Sequence, residues 1–466
     1  MQPPRRVSET DACLIGGPLP PTTTTSSDAC CRTSCCCFRS WRIGILFPLL
    51  FVRALFPTVC GGRSSGSIAE DMCDILRLTT VPFVICWNVT RVVFCCCCQR
   101  HAIPSDWSIG TAVAVELLRT TFMFGPHGVL MNQLLGDVIC VPTWLLPMLG
   151  VSGSAVVNRR LPCAAEWIHP NCNDTRATTE RVVLYFHGGS FNLMSPGTHR
   201  PLLAALALEA NASILAVDYR RPPDFPFPTP ANDCRAYLRW LVAEERVEPS
   251  QIVLAGDSAG GALVIEVLAQ LVAEERESRT SSSSSSSISS GSRGGMVAGA
   301  ILISPWVDVE DYTSPSWAAN GSTDYLGVEL LEMYARLYAG EAPLGAVSPR
   351  RHLDAASIGD ATSSSLEAAA AATFPPLQIE VGGREVFRDA VESFAQGARS
   401  AGCADVRLNV GSDHAHVYQL YASRSASAID SMRRMGRFIV EQTSSAGSSA
   451  PQYGSAVPVA QKSHDE

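Results

Sequence analysis

The chain has 466 residues, 46% hydrophobic and 17% charged, enough for one large core plus appendages. A formal net charge of −8, from 36 basic and 44 acidic residues with no basic stripe, excludes a surface built to wrap a polyphosphate backbone, so nucleic acid is not an expected partner. The single lysine is Lys462, in the C-terminal tail, which removes a phosphate-loop lysine, a Schiff-base lysine and a serine-lysine dyad from the chemistries to consider.

Residues 1–102 read as a cysteine-rich leader. Of 18 cysteines, 14 lie in the first 140 residues, in runs such as Cys35-Cys36-Cys37 and Cys95-Cys96-Cys97-Cys98. Adjacent cysteines rarely bridge one another, and these runs lack the gaps and interleaved histidines of a zinc site, so no metal is expected. Two apolar segments, Trp41 to Val59 and Leu78 to Phe94, are broken by arginine or proline and fall short of a clean span. Cysteines flanking apolar helices are the usual context of palmitoylation, which gives one reading, a membrane-attached N-terminus. The other is a leader plus one helix buried against the main domain. The first implies a membrane-associated protein, at the endoplasmic reticulum; a cytoplasmic location is the alternative.

Residues 103–180 form a predicted cap region. From Ile103 to Asn158 apolar positions recur at helical spacing, through AVAVELLRTTFMF and HGVLMNQLLGDVICV. Residues 181–443 change character. Val182 to Phe186, Ser213 to Val217, Ile252 to Ala255, Ala298 to Ile303, Leu377 to Val381 and Val406 to Val410 read as strands buried on both faces. Between and after them, Pro201 to Glu209, Ala231 to Glu245, Ala259 to Glu275, Gly327 to Tyr338, Asp389 to Ala401 and Ala426 to Val440 read as helices. The alternation predicts an α/β fold with a mainly parallel central sheet and helices on both faces. Low-complexity inserts at 277–295 and 355–373, and the tail 444–466, cannot bury enough apolar area to offset their ordering entropy.

Gly256-Asp257-Ser258-Ala259-Gly260-Gly261 follows the strand IVLA and opens the helix ALVIEVLAQLVAEE. In this G-x-S-x-G setting glycines let the backbone turn sharply and present Ser258 at a helix N-terminus, as a nucleophile requires. His187-Gly188-Gly189-Ser190 follows the strand VVLYF. The unobstructed N–H groups of Gly188 and Gly189, with that of Ala259, are candidate oxyanion donors, while His187 orients the loop. An orienting acid and a base are then expected, in that order, past later strands. Arg384-Glu385-Val386-Phe387-Arg388-Asp389 and Asp413-His414-Ala415-His416 supply them.

Together HGGS, VDYRRPPDFPFP, GDSAGG, ISPWVD, GGREVFRD and HAHVY, spread over Arg181 to Val440, resemble the hormone-sensitive-lipase-like branch of the α/β-hydrolases, with its bacterial esterases and arylacetamide deacetylases. The resemblance implies the α/β-hydrolase fold with a helical N-terminal cap, Ser258 as nucleophile, Glu385 as acid and His416 as base, with no cofactor. Asp389 and His414 are the weaker candidates for acid and base. Asp218 and Tyr219 match a structural pair, expected to be a buried hydrogen-bonded support. Ser190 and Arg221-Pro222-Pro223-Asp224 depart from the family pattern at the pocket rim.

The expected function is a serine carboxylic-ester hydrolase acting on lipophilic short-to-medium acyl or aryl esters, with a small-molecule ester as partner. The alternatives are an amide or formamide hydrolase on the same triad, or a non-catalytic ligand receptor on the same fold. Plant gibberellin receptors are of the last kind and lack the histidine, so the presence of His416 argues against it. Sequons at Asn173 and Asn320 are expected glycan acceptors if the domain is lumenal.

Overall fold

A computed structural model describes residues 111–112, 114–115, 118–119, 140–156, 158–170, 181–281, 297–354, 374–421 and 425–444, with side chains described as far as 275 in the stretch ending at 281. The chain divides into two units, residues 1–70 with 96–101, and residues 71–95 with 102–466; every described residue belongs to the second. The apolar leader segments, most of the two inserts, Asn173 and the tail beyond 444 lie outside the described residues. No helix among the described residues is long and apolar enough to cross a membrane.

Eight strands build one sheet: β1 (Ser152–Ala155), β2 (Ala164–His169), β3 (Val182–Phe186), β4 (Ser213–Asp218), β5 (Ile252–Asp257), β6 (Gly299–Ile303), β7 (Leu377–Gly382) and β8 (Val406–Gly411). Their order is β1-β2-β4-β3-β5-β6-β7-β8. From β4 to β8 in that order all neighbours are parallel, while β2 runs antiparallel to β4 and β1 antiparallel to β2. The longer helices are α1 (Pro196–Ala210), α2 (Thr229–Ala243), α3 (Ala259–Ser281), α4 (Val328–Ala339), α5 (Arg388–Ser400) and α6 (Ala426–Ser444).

Strand period two sorts each apolar run between two cores. Val183 and Tyr185 of β3 join Leu203 and Leu206 of α1 and Met435 and Phe438 of α6 on one face. Val182, Leu184 and Phe186 join Tyr237 of α2, Leu263 and Leu268 of α3 and Phe394 of α5 on the other. Helices on both faces explain why β3, β5, β6 and β7 are buried along their whole length.

The structure corrects the sequence reading in three places. Residues 152–155, expected to be helical, form β1, and β2 also falls inside the predicted cap region, so the sheet begins before residue 181. The sequence SGSA offers no apolar alternation; its strand is specified by pairing with β2, whose Trp167 and Ile168 face Leu215 and Ile214 of β4. Helix α1 starts at Pro196 rather than Pro201, behind Ser195, which makes a capping box with Thr198. Pro201 remains inside because the Gly197 carbonyl that it cannot satisfy accepts the Val141 N–H at 3.0 Å. Finally β8, expected to be buried on both faces, is an edge strand and half-buried, with Val410 44% exposed.

Candidate active site

The turn from β5 into α3 is tight enough to put Ser258 at φ 50°, a left-handed conformation that is strained for serine. Its neighbours hold it there. Ser258 N–H donates to the Ile303 carbonyl at 2.8 Å, and its own carbonyl accepts from Trp306 at 2.9 Å and Ala262 at 3.2 Å. A Cβ at Gly256 would come 2.5 Å from the Gly260 carbonyl carbon, and one at Gly260 would run into the Phe186 carbonyl, so both glycines are required by contact.

The loop after β3 lies against this turn. Asp257 is buried beneath it, accepting the Gly188 N–H at 2.9 Å and the Tyr185 hydroxyl at 2.7 Å, with His199 Nε2 at 3.2 Å. Burial alone would raise the Asp257 pKa, but the charge and hydrogen bond of His199, with the Tyr185 and Gly188 donors, hold it below the ordinary value. This network corrects one expectation. The Gly188 N–H points at Asp257 and is already engaged, whereas the N–H groups of Gly189, Ser190 and Ala259 meet no acceptor among the described residues. His187 holds the loop: its Nδ1 is 2.7 Å from the Gly188 carbonyl and its ring stacks on Tyr219 at 4.3 Å. Burial, then the charges of His199 and Arg221, push its pKa well down, so it stays neutral. Tyr219 is the expected buried support, donating to the His187 carbonyl at 2.8 Å. Asp218 is not: its side chain is 33% exposed and pairs with Arg221 at 2.6 Å. Arg221 also donates to the Met194 carbonyl at 2.7 Å, tying the departing segment to the far end of the oxyanion loop.

The other half comes from loops after β7 and β8. His416 Nε2 lies 2.9 Å from Ser258 Oγ, and its Nδ1 lies 2.7 Å from Glu385 Oε2. Glu385 is fully buried; its Oε1 accepts the Ser304 hydroxyl at 2.9 Å and the Gly382 N–H. Burial would lower the His416 pKa, but the hydrogen bond and charge of Glu385, with the charges of Asp324 and Asp257, outweigh it and hold the imidazole above 6.5. The competitors sit elsewhere. Asp389 accepts the Ser316 N–H at 2.8 Å at the start of α5 and is paired with Arg388, and His414 stacks on Tyr418 at 4.6 Å.

Sequence reasoning missed several residues that shape the site. Ser304 carries φ 44° and binds both Glu385 and, at 3.2 Å, the Val417 N–H; it belongs to the ISPWVD motif without marking itself there. Asp324 and Tyr325 hold the loops from 62 to 92 residues away, and no local pattern announces them. Asn320 is 7% exposed and its amide donates to the Glu385 carbonyl at 2.9 Å, so it is not a glycan acceptor in the folded chain, correcting the sequon reading. Among the described residues no three His, Cys, Asp or Glu side chains converge as metal ligands.

Residues 183–420 match the family model for the alpha/beta hydrolase fold. An acetyl-hydrolase of Streptomyces hygroscopicus is 33% identical over 259 residues, 56% of this chain and 73% of that protein. The carboxylesterase/phospholipase LipF of Mycobacterium tuberculosis is 30% identical over 264 residues, 56% of this chain but only 62% of its own length. Among solved structures, an esterase from the bacterial hormone-sensitive lipase family is 28% identical with a TM-score of 0.56, covering 72% of this chain and 99% of that one. An esterase/lipase from an uncultured bacterium is 26% identical with a TM-score of 0.53, covering 68% and 92%. The fold, the elbow and these relatives agree: the chain belongs to the α/β-hydrolase family, in its hormone-sensitive-lipase-like branch, and is a carboxylesterase-like hydrolase.

Proposed function

We propose that the protein hydrolyses carboxylic esters through a Ser258-His416-Glu385 triad and a covalent acyl-enzyme. The observation that carries this reading is the unbroken buried relay, 2.9 Å from Ser258 to His416 and 2.7 Å from His416 to Glu385. Ser258 Oγ attacks the acyl carbon and its proton passes to His416 Nε2. The N–H groups of Gly189 and Ala259, unengaged within the described chain, stabilise the oxyanion as it forms. Collapse expels the alcohol, which takes the proton back from His416. Water then repeats the sequence on the acyl-enzyme, releasing the acid and restoring Ser258. Glu385 fixes the tautomer and stabilises the imidazolium.

Two relatives' names, carboxylesterase/phospholipase and esterase, support ester over amide chemistry, while acetyl-hydrolase names the acyl group and not the bond. Lipophilic short-to-medium acyl or aryl substrates belong to the same proposal, motivated by the apolar residues that recur between Ile103 and Asn158 ahead of the catalytic part of the chain. Attachment of the leader to a membrane belongs to the same proposal, motivated by its apolar segments and cysteine runs.

The test is hydrolysis of p-nitrophenyl esters from acetate to palmitate by the full-length protein, beside Ser258→Ala and His416→Ala. Turnover with an optimum at short or medium chains, and a loss of about 10⁴-fold or more in both variants, is the expected result. A folded wild type inert on every ester, or a Ser258→Ala variant that keeps its activity, overturns the proposal.

A further inference from the structure

The catalytic pair stands on two separate loops, and each must be placed to within about half an ångström for the relay to work. Both loops are gripped from outside by one short segment, residues 320–325, between the helix Pro315–Asn320 and α4. Asn320 donates to the Glu385 carbonyl at 2.9 Å. Asp324 accepts the N–H of Val386 on one carboxylate oxygen at 2.8 Å, and those of Tyr325 and His416 on the other at 2.7 and 3.3 Å. The Tyr325 hydroxyl donates to the His416 carbonyl at 2.9 Å. The peptide group that joins Glu385 to Val386, and both backbone polar groups of His416, are therefore fixed by the same segment.

We propose that residues 320–325 form a positioning clamp for Glu385 and His416, with Asp324 at its centre and Arg119 as its outer anchor. This rests on the triad reading given above. Asp324 is 1% exposed, and a carboxylate so deeply buried is costly to keep unless its charge and its acceptor oxygens are used. Here both are used: the oxygens bind the two loops, and the charge adds to that of Glu385 in favouring the imidazolium of His416. The groups facing Asp324 are His416 and Glu385 from the catalytic loops, with the phenols of Tyr325 and Tyr421. Burial lifts its pKa to about 6, against the opposing charge of His416. On the outside, Arg119 donates to the Asp324 carbonyl at 3.0 Å and to the Ser322 carbonyl at 2.9 Å. Arg119 is itself helical and precedes β1, so a part of the chain ahead of the sheet is tied to the catalytic loops through the clamp.

The experiment compares kcat, KM, the pH profile of kcat/KM and the melting temperature for full-length wild type, Asp324→Asn, Tyr325→Phe and Arg119→Ala on p-nitrophenyl butyrate. Asp324→Asn is expected to lower kcat by roughly 10- to 100-fold with KM changed by less than about 3-fold, since the loops lose register while the binding surface stays. Its acid limb moves to lower pH by roughly half a unit, because removing a negative charge beside His416 favours the neutral imidazole. Tyr325→Phe and Arg119→Ala follow in the same direction with smaller losses. An Asp324→Asn protein with wild-type kcat overturns the clamp, as does a loss that tracks melting temperature with an unmoved acid limb, which would mean a structural role only. If Asp324→Asn does not fold, Tyr325→Phe decides, and an unchanged kcat there overturns the proposal. A wild type that hydrolyses no ester overturns the triad reading and the clamp together; an active wild type with unaffected variants overturns the clamp alone.

Discussion

The two halves of the site are built in opposite ways. On the nucleophile side, Ser258, Ala259 and the glycines around them lie within a few residues on one strand-turn-helix unit, and the geometry follows from local sterics: Gly256 and Gly260 are where any Cβ would meet backbone. On the acid-base side, Glu385 and His416 come from loops 31 residues apart, and their placement depends on side chains from still further away, Ser304, Asn320, Asp324 and Tyr325. A local motif can make a strained turn by itself, but a hydrogen-bonded pair between loops needs partners from the rest of the fold. The nucleophile side is thus sensitive to added volume, and the acid-base side to lost hydrogen bonds.

That contrast can be broken by substitution. On the acid-base side, Glu385→Gln keeps the shape but loses the charge and the acceptor for His416 Nδ1–H; kcat should fall about 10³- to 10⁴-fold with KM little changed, measured by steady-state kinetics on a short-chain ester. On the nucleophile side, Gly260→Ala adds one methyl against the Phe186 and His187 carbonyls. It should lower kcat by roughly 10²-fold through displacement of the elbow. It should also cost roughly 1–3 kcal/mol of stability, read by urea unfolding, whereas Glu385→Gln is read first in kcat. The pH profile sharpens the comparison further. His416 must be neutral to accept the Ser258 proton, and its pKa is held above 6.5, so kcat/KM should lose activity on the acid side with a midpoint above that value. A midpoint below it would mean that burial, rather than Glu385, dominates. The smallest effect is expected at Asp389: because it binds the Ser316 N–H and Arg388 away from His416, Asp389→Asn should change kcat by less than about 3-fold.

The same division explains what could be read from the sequence. The succession of β3 to β7 with their helices followed from apolar runs alternating with amphipathic stretches, because burial on both faces leaves a strong pattern, whereas β8 was legible as a strand but not as the half-buried edge. Ser258, Glu385 and His416 were legible from short motifs placed just past strands, and the structure brings these three together. Strand β1 was not legible, since SGSA has no apolar residue other than Ala155 and exists through its pairing. The engagement of Gly188 with Asp257 could not be read either, because it depends on a carboxylate 69 residues on in the chain. Asp324 was equally silent, its partners Val386 and His416 being 62 and 92 residues distant.

The central claim, that Ser258 is the covalent nucleophile of this hydrolase, is tested most directly by mapping where an acyl-like inhibitor attaches. Full-length protein is treated with a fluorophosphonate, digested, and its peptides weighed, alongside Ser258→Ala and His416→Ala. The account predicts one adduct, on Ser258, formed in step with loss of ester hydrolysis, absent in Ser258→Ala and strongly slowed in His416→Ala. Complete inactivation with the adduct on a different residue, or full ester hydrolysis surviving in Ser258→Ala, would contradict it.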